Sequence, residues 1–193
     1  DKAIGLDARP AAEIARVLID GQIAAAQAVP PTTTALCAAA QAMARTIRRG
    51  GVLTYVGAGS SGLMAAADAL ELGGTFGIPA RQVRIVMAGG LPTSPAMPGA
   101  TEDETAGLDT ALAGLTPNDT VIAVAASGAT PFTVSAARIA RTCGAAVIGL
   151  ANNPGAPLLQ AATLPVLLET PPEVLSGSTR LGAGTAQKIA LNT

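Results

Sequence analysis

The sequence predicts an α/β fold, with a doubly wound, mostly parallel five-stranded sheet flanked by helices and preceded by an N-terminal helical segment. Short apolar runs alternate with helical stretches from residue 52 onward. Uninterrupted apolar runs of this length are typical of parallel strands that are covered on both faces. The 193 residues suffice for one such domain with a helical extension. We expect residues 1–50 to form the helical segment and residues 51–193 the sheet domain.

Two helices are predicted between residues 7 and 50. Apolar residues recur at helical spacing in both, namely Ile14, Val17 and Leu18, then Leu36, Met43 and Ile47. Pro30-Pro31 separates the two helices, because proline removes a backbone donor and breaks a helix. Thr34 is a candidate cap for the second helix, and Gly50-Gly51 ends it.

Five strands and the helices between them follow from the same alternation of patterns. The predicted strands are Val52–Val56, Val83–Ala88, Thr120–Ala125, Ala146–Leu150 and Leu164–Leu168. The predicted helices are Ser61–Leu72, Glu104–Ala113, Pro131–Cys143, Ala156–Ala161 and Leu181–Asn192. The segment Gly89–Ala100 is rich in Gly and Pro and is predicted to be a loop.

Two of the strands run directly into loops of small and hydroxyl residues, each followed by a helix. The loops are Gly57-Ala58-Gly59-Ser60-Ser61-Gly62 and Ser127-Gly128-Ala129-Thr130-Pro131. Free backbone N–H groups, the helix dipole and hydroxyls then converge on one small volume, which favours an anion such as a phosphate ester. The candidate phosphate-binding residues are Gly59, Ser60, Ser61, Ser127, Gly128 and Thr130.

A dinucleotide site is the first alternative for the loop at residues 57–62, whose glycines match that fingerprint. The next strand ends in Met87-Ala88-Gly89-Gly90 and lacks the acidic residue that would bind a ribose. The loop also lacks the lysine of a P-loop. A tight strand-to-helix turn that needs glycine for packing stays open for this loop when it is taken alone.

A third hydroxyl cluster precedes the last predicted helix, and Ser178 and Thr179 in it are further candidate ligands. A simple capping segment explains this cluster equally well. Lys188 is a candidate donor to a ligand, against the alternative of a solvated charge. Glu71 and Glu102 are read either as exposed carboxylates or as the groups that move protons, because the chain contains no histidine.

Composition excludes several classes of function. A net charge of −1 and 2% aromatic residues favour neither nucleic-acid binding nor base stacking. The absence of histidine excludes Ser-His-Asp catalysis and His-based zinc sites. Cys37 and Cys143 have no metal-ligand spacing and are expected to be small buried apolar residues in a reducing cytoplasm. No signal peptide is evident, and prolines and polar residues interrupt the long uncharged stretches, so neither a membrane span nor a membrane partner is expected.

These segments together resemble the SIS (sugar isomerase) domain family, and within it the N-acetylmuramic acid 6-phosphate etherases and the glucokinase regulatory protein. The resemblance runs from about Asp7 to Asn192. Besides the two loops, it rests on Asp68-Ala69-Leu70-Glu71, Thr75-Phe76-Gly77, Ala88-Gly89-Gly90, Thr101-Glu102-Asp103, Asn152-Asn153-Pro154-Gly155, Gly177-Ser178-Thr179-Arg180-Leu181 and Gly184-Thr185-Ala186-Gln187-Lys188. Leu63 departs from it, because the etherases usually carry Arg there.

The resemblance implies a lyase that cleaves the D-lactyl ether of a 6-phosphorylated amino sugar, with Glu71 and Glu102 as the catalytic pair. One glutamate removes the C2 proton and the other assists departure of D-lactate, and which does which is open. No metal and no cofactor are implied. A phosphosugar-binding regulator without turnover and an aldose–ketose isomerase are the alternatives.

The predicted helix after the first loop carries Glu71 far from that loop. Ten residues separate Ser61 from Glu71, which corresponds to roughly 15 Å along a continuous helix. A hexose 6-phosphate held at the helix N-terminus would scarcely extend so far. We therefore expect a homodimer in which a second subunit completes the site around Glu71.

Overall fold

The computed structural model of the protein describes residues 3–193. Its strands are β1 (Leu53–Gly57), β2 (Val83–Met87), β3 (Thr120–Val124), β4 (Ala146–Ala151) and β5 (Leu164–Leu167). All neighbouring pairs are parallel, and the strand order is β2-β1-β3-β4-β5. The predicted five-stranded parallel sheet is confirmed. The order changes direction between β1 and β3, which is the position where open parallel sheets bind ligands.

Residues 3–193 form seven α-helices in addition to this sheet. They are α1 (Ala11–Ala26), α2 (Thr33–Arg48), α3 (Gly59–Phe76), α4 (Leu108–Ala111), α5 (Pro131–Thr142), α6 (Pro157–Ala161) and α7 (Gly182–Leu191). Single 3₁₀ turns lie at Leu6–Ala8, Pro30–Thr32 and Ala80–Gln82. The two N-terminal helices are therefore confirmed, with the break at the two prolines where it was predicted.

Two local predictions differ from the structure. The helix predicted over Glu104–Ala113 is reduced to α4, because Gly107 before it has φ 84° and ends any helical run from the preceding residues. Thr34 does not cap α2. The helix starts at Thr33, directly after the 3₁₀ turn, and Thr32 occupies the cap position without a side-chain capping bond. The Thr33 hydroxyl instead donates back to the Pro30 carbonyl at 2.7 Å.

Alternate residues of the strands point into two separate cores. Leu53 and Tyr55 face α2, α3 and α7, whereas Val56 faces α4, α5 and α6. Strand residues are buried on both faces, so the apolar runs show no alternation of polarity. Helix α1 lies outside this layer and packs on α7, where the Thr185 hydroxyl donates to Gln22 Oε1 at 2.8 Å.

The edge of the sheet where the strands begin, here called the amino edge, is closed by side-chain hydrogen bonds. The Asp119 carboxylate accepts from the Val52 and Thr116 backbone N–H groups at 2.7 Å and from the Thr116 hydroxyl at 2.9 Å. Thr46 and Thr120 share a buried hydroxyl hydrogen bond of 2.7 Å. Buried polar groups on this edge therefore satisfy one another.

Both cysteines are exposed free thiols, so the expectation that they would be buried is wrong. Cys37 lies on the outer face of α2, and Cys143 directly follows the end of α5. Alanines supply most of the small buried residues of those helices instead. Of the helices described, none is both long enough and apolar enough to span a membrane.

Candidate functional site

The first loop brings α3 directly against the end of β1. A Cβ on Gly57 would lie 2.8 Å from the Gly62 Cα, so the strand and the helix approach more closely than a side chain allows. The chain reverses through Gly59 at φ 52°, and the Gly62 N–H donates to the Ala58 carbonyl at 2.9 Å. The first N–H groups of α3 consequently lie at the edge where the strands end, here called the carboxyl edge.

The second loop has an independent requirement for glycine. Gly128 has φ 65°, and a Cβ there would lie 2.5 Å from the Ala156 Cβ and 2.8 Å from the Ala151 Cβ. Pro131 is the first residue of α5, a position where its missing N–H costs nothing. The Ser127 side chain is exposed, and its Oγ accepts from the Ala129 N–H at 3.2 Å.

The two loops contact each other at Ala126. Its backbone N–H donates to the Ser61 Oγ at 3.3 Å, which links the first turn of α3 to the end of β3. Ser60 lies beside it in the same turn and is half-buried. Thr130 is the N-cap residue of α5 and is half-buried, and its hydroxyl makes no capping bond. The candidate residues of both loops therefore share one edge and one neighbourhood.

Glu102 lies on a long loop that passes close to the starts of α3 and α5. Its Oε1 lies 3.1 Å from where a Cβ on Gly59 would be, and its backbone carbonyl accepts from the Phe132 N–H at 3.0 Å. The carboxylate thus lies at the start of α3 while the main chain lies at the start of α5. The side chain is exposed, and no hydrogen bond to it is found within residues 3–193. The Glu102 carboxylate therefore lies beside the N-terminus of α3 with no side-chain partner in the described part of the chain.

Glu71 lies on α3, far from the two Ser/Gly loops. Helix α3 is continuous from Gly59 to Phe76, so Glu71 lies twelve residues beyond Gly59, roughly 18 Å along the helix. The Glu102 carboxylate lies beside Gly59, at the far end of that distance. Glu71 is exposed at the rim of a cleft of about 580 Å³ between α2, α3 and α7. Apart from Glu71, Asp68 and Arg48, the cleft is lined largely by apolar side chains. The structure does not bring the two predicted catalytic glutamates together within one chain.

A buried polar pair lies below Glu71. The Tyr55 hydroxyl donates to Asp68 Oδ2 at 2.6 Å, and both side chains are buried. Burial raises the pKa of Tyr55, and the hydrogen bond to Asp68 raises that pKa further. Burial also raises the pKa of Asp68, which the Tyr55 hydrogen bond and the positive charge of Lys188 partly offset. Lys188 is exposed on α7, and its ammonium donates to Asn192 Oδ1 at 2.6 Å.

The third hydroxyl cluster lies in the loop before α7. The first N–H groups of that helix are already occupied, because Glu173 accepts from Gly182 at 2.9 Å and from Ala183 at 2.8 Å. Ser178 and Thr179 take part in this turn through their backbones. Sequence reasoning missed Glu173, whose only signal was an acidic residue shortly before a predicted helix start. The anion position at α7 is therefore filled by the chain's own carboxylate.

A buried amide pair that the sequence did not indicate connects α7 to the second loop. Gln187 donates to Asn152 Oδ1 at 3.0 Å, and the Asn152 N–H donates to the Ala126 carbonyl at 2.9 Å. Both residues lie in segments of the resemblance, but nothing in their spacing predicts that they meet. No three thiol or carboxylate side chains of residues 3–193 come together in an arrangement that would hold a metal ion.

The parallel sheet with two Ser/Gly loops at its carboxyl edge places the chain in the class of α/β domains of the SIS type. The family model for the SIS domain matches residues 23–152, and the chain belongs to this family.

Among its relatives are two N-acetylmuramic acid 6-phosphate etherases. The one from Deinococcus radiodurans is 52% identical over 91% of this chain, and the one from Geobacillus thermodenitrificans is 45% identical over 100% of it. The aligned region spans 58% and 66% of the lengths of these two relatives.

Solved structures show the same fold at low identity. The Vibrio vulnificus NanR protein, complexed with ManNAc-6P, superposes with a TM-score of 0.69 at 16% identity, covering 99% of this chain and 64% of that one. A phosphoheptose isomerase from Francisella tularensis gives a TM-score of 0.60 at 21% identity, covering 90% of this chain and 88% of that one.

Proposed function

We propose that this chain is the phosphosugar-binding and catalytic core of an N-acetylmuramic acid 6-phosphate etherase, a carbon–oxygen lyase. The observation that carries the proposal is the Glu102 carboxylate at the start of α3, beside the loop that would hold the phosphorylated sugar. Identity of 45% over the whole chain to a relative with this name supports it. No cofactor is required by the chemistry.

The sugar phosphate would bind at the carboxyl edge. Gly59, Ser60 and Ser61 present the N-terminus of α3 to the phosphate. Ser127, Gly128 and Thr130 do the same at α5. Ser178, Thr179 and Lys188 are proposed as more distant contacts, because the start of α7 is already occupied by Glu173.

The proposed reaction starts from the open-chain sugar, whose aldehyde acidifies the proton on C2. Glu102 removes that proton, and the bond from C3 to the lactyl ether oxygen breaks as Glu71 protonates the oxygen. Water then adds at C3 and a proton returns to C2. The products are N-acetylglucosamine 6-phosphate and D-lactate, so one water molecule is consumed for each ether cleaved.

Because the two glutamates lie so far apart within one chain, we propose a homodimer in which Glu71 of one subunit serves the loops of the other. The exposed Leu70 and Phe76 beside Glu71 support a contact on this surface. Mixing a Glu71→Gln chain with a Gly128→Ala chain should restore activity in the heterodimer. Mixtures that stay inactive, although the subunits exchange, would contradict a shared site.

The decisive experiment measures D-lactate release from N-acetylmuramic acid 6-phosphate by the purified chain. Release that is lost in Glu102→Gln is the expected result. Binding of the phosphosugar without lactate release would instead support a regulatory module, and conversion between aldose and ketose phosphates would support an isomerase.

The exposed, unpaired thiols of Cys37 and Cys143 support a reducing compartment, and we propose the cytoplasm.

A further inference from the structure

Gln187 is fully buried, yet one of its polar atoms is unused. The side chain has 0% exposure, and its Oε1 has no hydrogen-bond partner within residues 3–193. An unpaired oxygen in the interior is unfavourable compared with an apolar side chain of the same size. Methionine would fill the same volume without that penalty. Stability therefore does not explain the unpaired oxygen at this position.

The nitrogen of the same amide makes a buried hydrogen bond. Its Nε2 donates to Asn152 Oδ1 at 3.0 Å, and Asn152 is itself buried at the end of β4. The Asn152 side chain donates in turn to the Thr170 hydroxyl at 3.3 Å. Asn152 is thus held through both side-chain polar atoms, and its backbone N–H donates to the Ala126 carbonyl at 2.9 Å.

Ala126 is the residue that joins the two Ser/Gly loops. Its N–H contacts the Ser61 Oγ and its carbonyl contacts Asn152, so its peptide groups are held from both sides. Ser127 and Gly128 follow immediately, and the Gly128 N–H donates to the Ala125 carbonyl at 3.0 Å. A change in the orientation of Asn152 would therefore move the second loop.

We propose that Gln187 is a positioning residue for the phosphosugar site, acting from α7 through Asn152 to hold the Ala126–Gly128 segment in its binding conformation. This inference rests on the proposed function, since it assigns a role in binding the phosphosugar. It gives Gln187 a function that does not require its side chain to touch the ligand.

The test compares Gln187→Met with wild type in the full chain. We expect the dissociation constant for N-acetylglucosamine 6-phosphate, measured by calorimetry, to rise about tenfold. The thermal midpoint is expected to stay about the same, because the unpaired Gln187 oxygen is removed while the buried Asn152 Oδ1 loses its donor. Amide hydrogen exchange at Gly128 is expected to accelerate. A purely structural role would instead lower the midpoint and leave loop exchange unchanged.

Thr54→Val is the matched control. Thr54 is also fully buried with an unpartnered oxygen, but it lies on β1 within the sheet, away from the loops. This variant should keep or raise the midpoint and bind the phosphosugar as wild type does. If wild type binds and Gln187→Met binds equally well, the positioning role is wrong while the proposed function stands. If wild type itself binds no phosphosugar, both are overturned.

Discussion

The two edges of the sheet are built from the same parallel backbone but treat their polar groups in opposite ways. At the amino edge, Asp119 accepts three hydrogen bonds, and the Gln82 amide donates to the Ile47 and Gly51 carbonyls at 3.0 and 2.9 Å. At the carboxyl edge, glycines and hydroxyl residues leave helix N-termini facing outward. Glu102 lies there exposed, without a hydrogen bond within the described part of the chain.

This difference indicates that the amino edge contributes to stability and that the carboxyl edge is suited to binding. Satisfied buried groups at the amino edge stabilise the sheet and have no capacity left for a ligand. The starts of α3 and α5 carry partial positive charge, and backbone N–H groups there that have no acceptor within the described residues can donate to water or to a bound anion. Substitutions at the amino edge should therefore alter stability, and substitutions at the carboxyl edge should alter activity.

Glu102→Gln should produce the largest effect on activity. We expect kcat to fall by about 10²- to 10⁴-fold, since a positioned proton-transfer group contributes on that order. The thermal midpoint should not change, because the exposed carboxylate makes no hydrogen bond within residues 3–193. Rates of D-lactate release and a thermal melt measure the two quantities. Glu104→Gln, another exposed carboxylate on the same loop, is the control and should keep full activity. Equal rates for the two variants would remove Glu102 from the mechanism.

Asp119→Ala tests the opposite edge. We expect the free energy of unfolding to fall by about 3 kcal/mol, because two backbone N–H groups and a hydroxyl lose their acceptor. Phosphosugar affinity of the folded fraction should stay as in wild type. Urea unfolding and calorimetry provide the measurements. The exposed Asp109 on α4 is the control, and its change to Ala should cost less than about 0.5 kcal/mol. Weaker binding at unchanged stability would show that the edges are not separate.

Two substitutions that each remove one hydroxyl group compare the edges at the same expected loss of unfolding free energy. Ser61→Ala and Thr46→Val each remove one buried hydrogen bond, of 3.3 and 2.7 Å respectively. Each should lower the free energy of unfolding by about 1 kcal/mol. Only Ser61→Ala should weaken phosphosugar binding, by about tenfold. The same affinity in both variants would argue against a binding role for the first loop.

The smallest expected effect concerns Asp68. This buried carboxylate accepts a hydrogen bond from Tyr55, whereas Asp119 accepts three hydrogen bonds. Burial raises the pKa of Asp68 above its ordinary value of 3.8, so the folded state binds its proton more tightly than the unfolded state. The stabilising contribution is complete below that ordinary value and is lost as the pH rises through the raised pKa. Wild type should therefore gain unfolding free energy relative to Asp68→Asn as the pH falls. Urea unfolding of wild type and Asp68→Asn at pH values below and above 3.8 tests this prediction. A difference in unfolding free energy that grows in favour of wild type with rising pH would refute it.

Much of the fold was predictable because it depends on local patterns. Apolar runs placed each strand to within about one residue at its ends, since a strand buried on both faces admits few polar residues. The Gly57–Gly62 and Ser127–Pro131 loops were recognisable from glycine and hydroxyl content alone. The prediction of a helix over Glu104–Ala113 was wrong because the left-handed conformation of Gly107 overrides the helix propensity of its neighbours.

The candidate site was only partly predictable. That both loops share one edge follows from the predicted parallel sheet, because parallel strands end at the same edge. Contacts between distant segments were not predictable: Glu102 against Gly59, Tyr55 with Asp68, and Gln187 with Asn152. Nor was the exposure of Cys37 and Cys143, since a small residue packs as readily on a solvent face as in a core.

The amino-acid sequence by itself determined the strands, the order of helices between them and the residue types that suit an anion at two helix starts. These properties arise from periodicity and from the conformational freedom of glycine, both of which act over a few residues. Helix geometry also determined that Glu71 lies far along α3 from the first loop. Only the tertiary structure decided that Glu102 reaches that loop. It also decided that Glu173 occupies the start of α7. Such pairings depend on how the chain closes over long separations, because the distance between two side chains is set by packing of the whole sheet and not by their spacing in sequence.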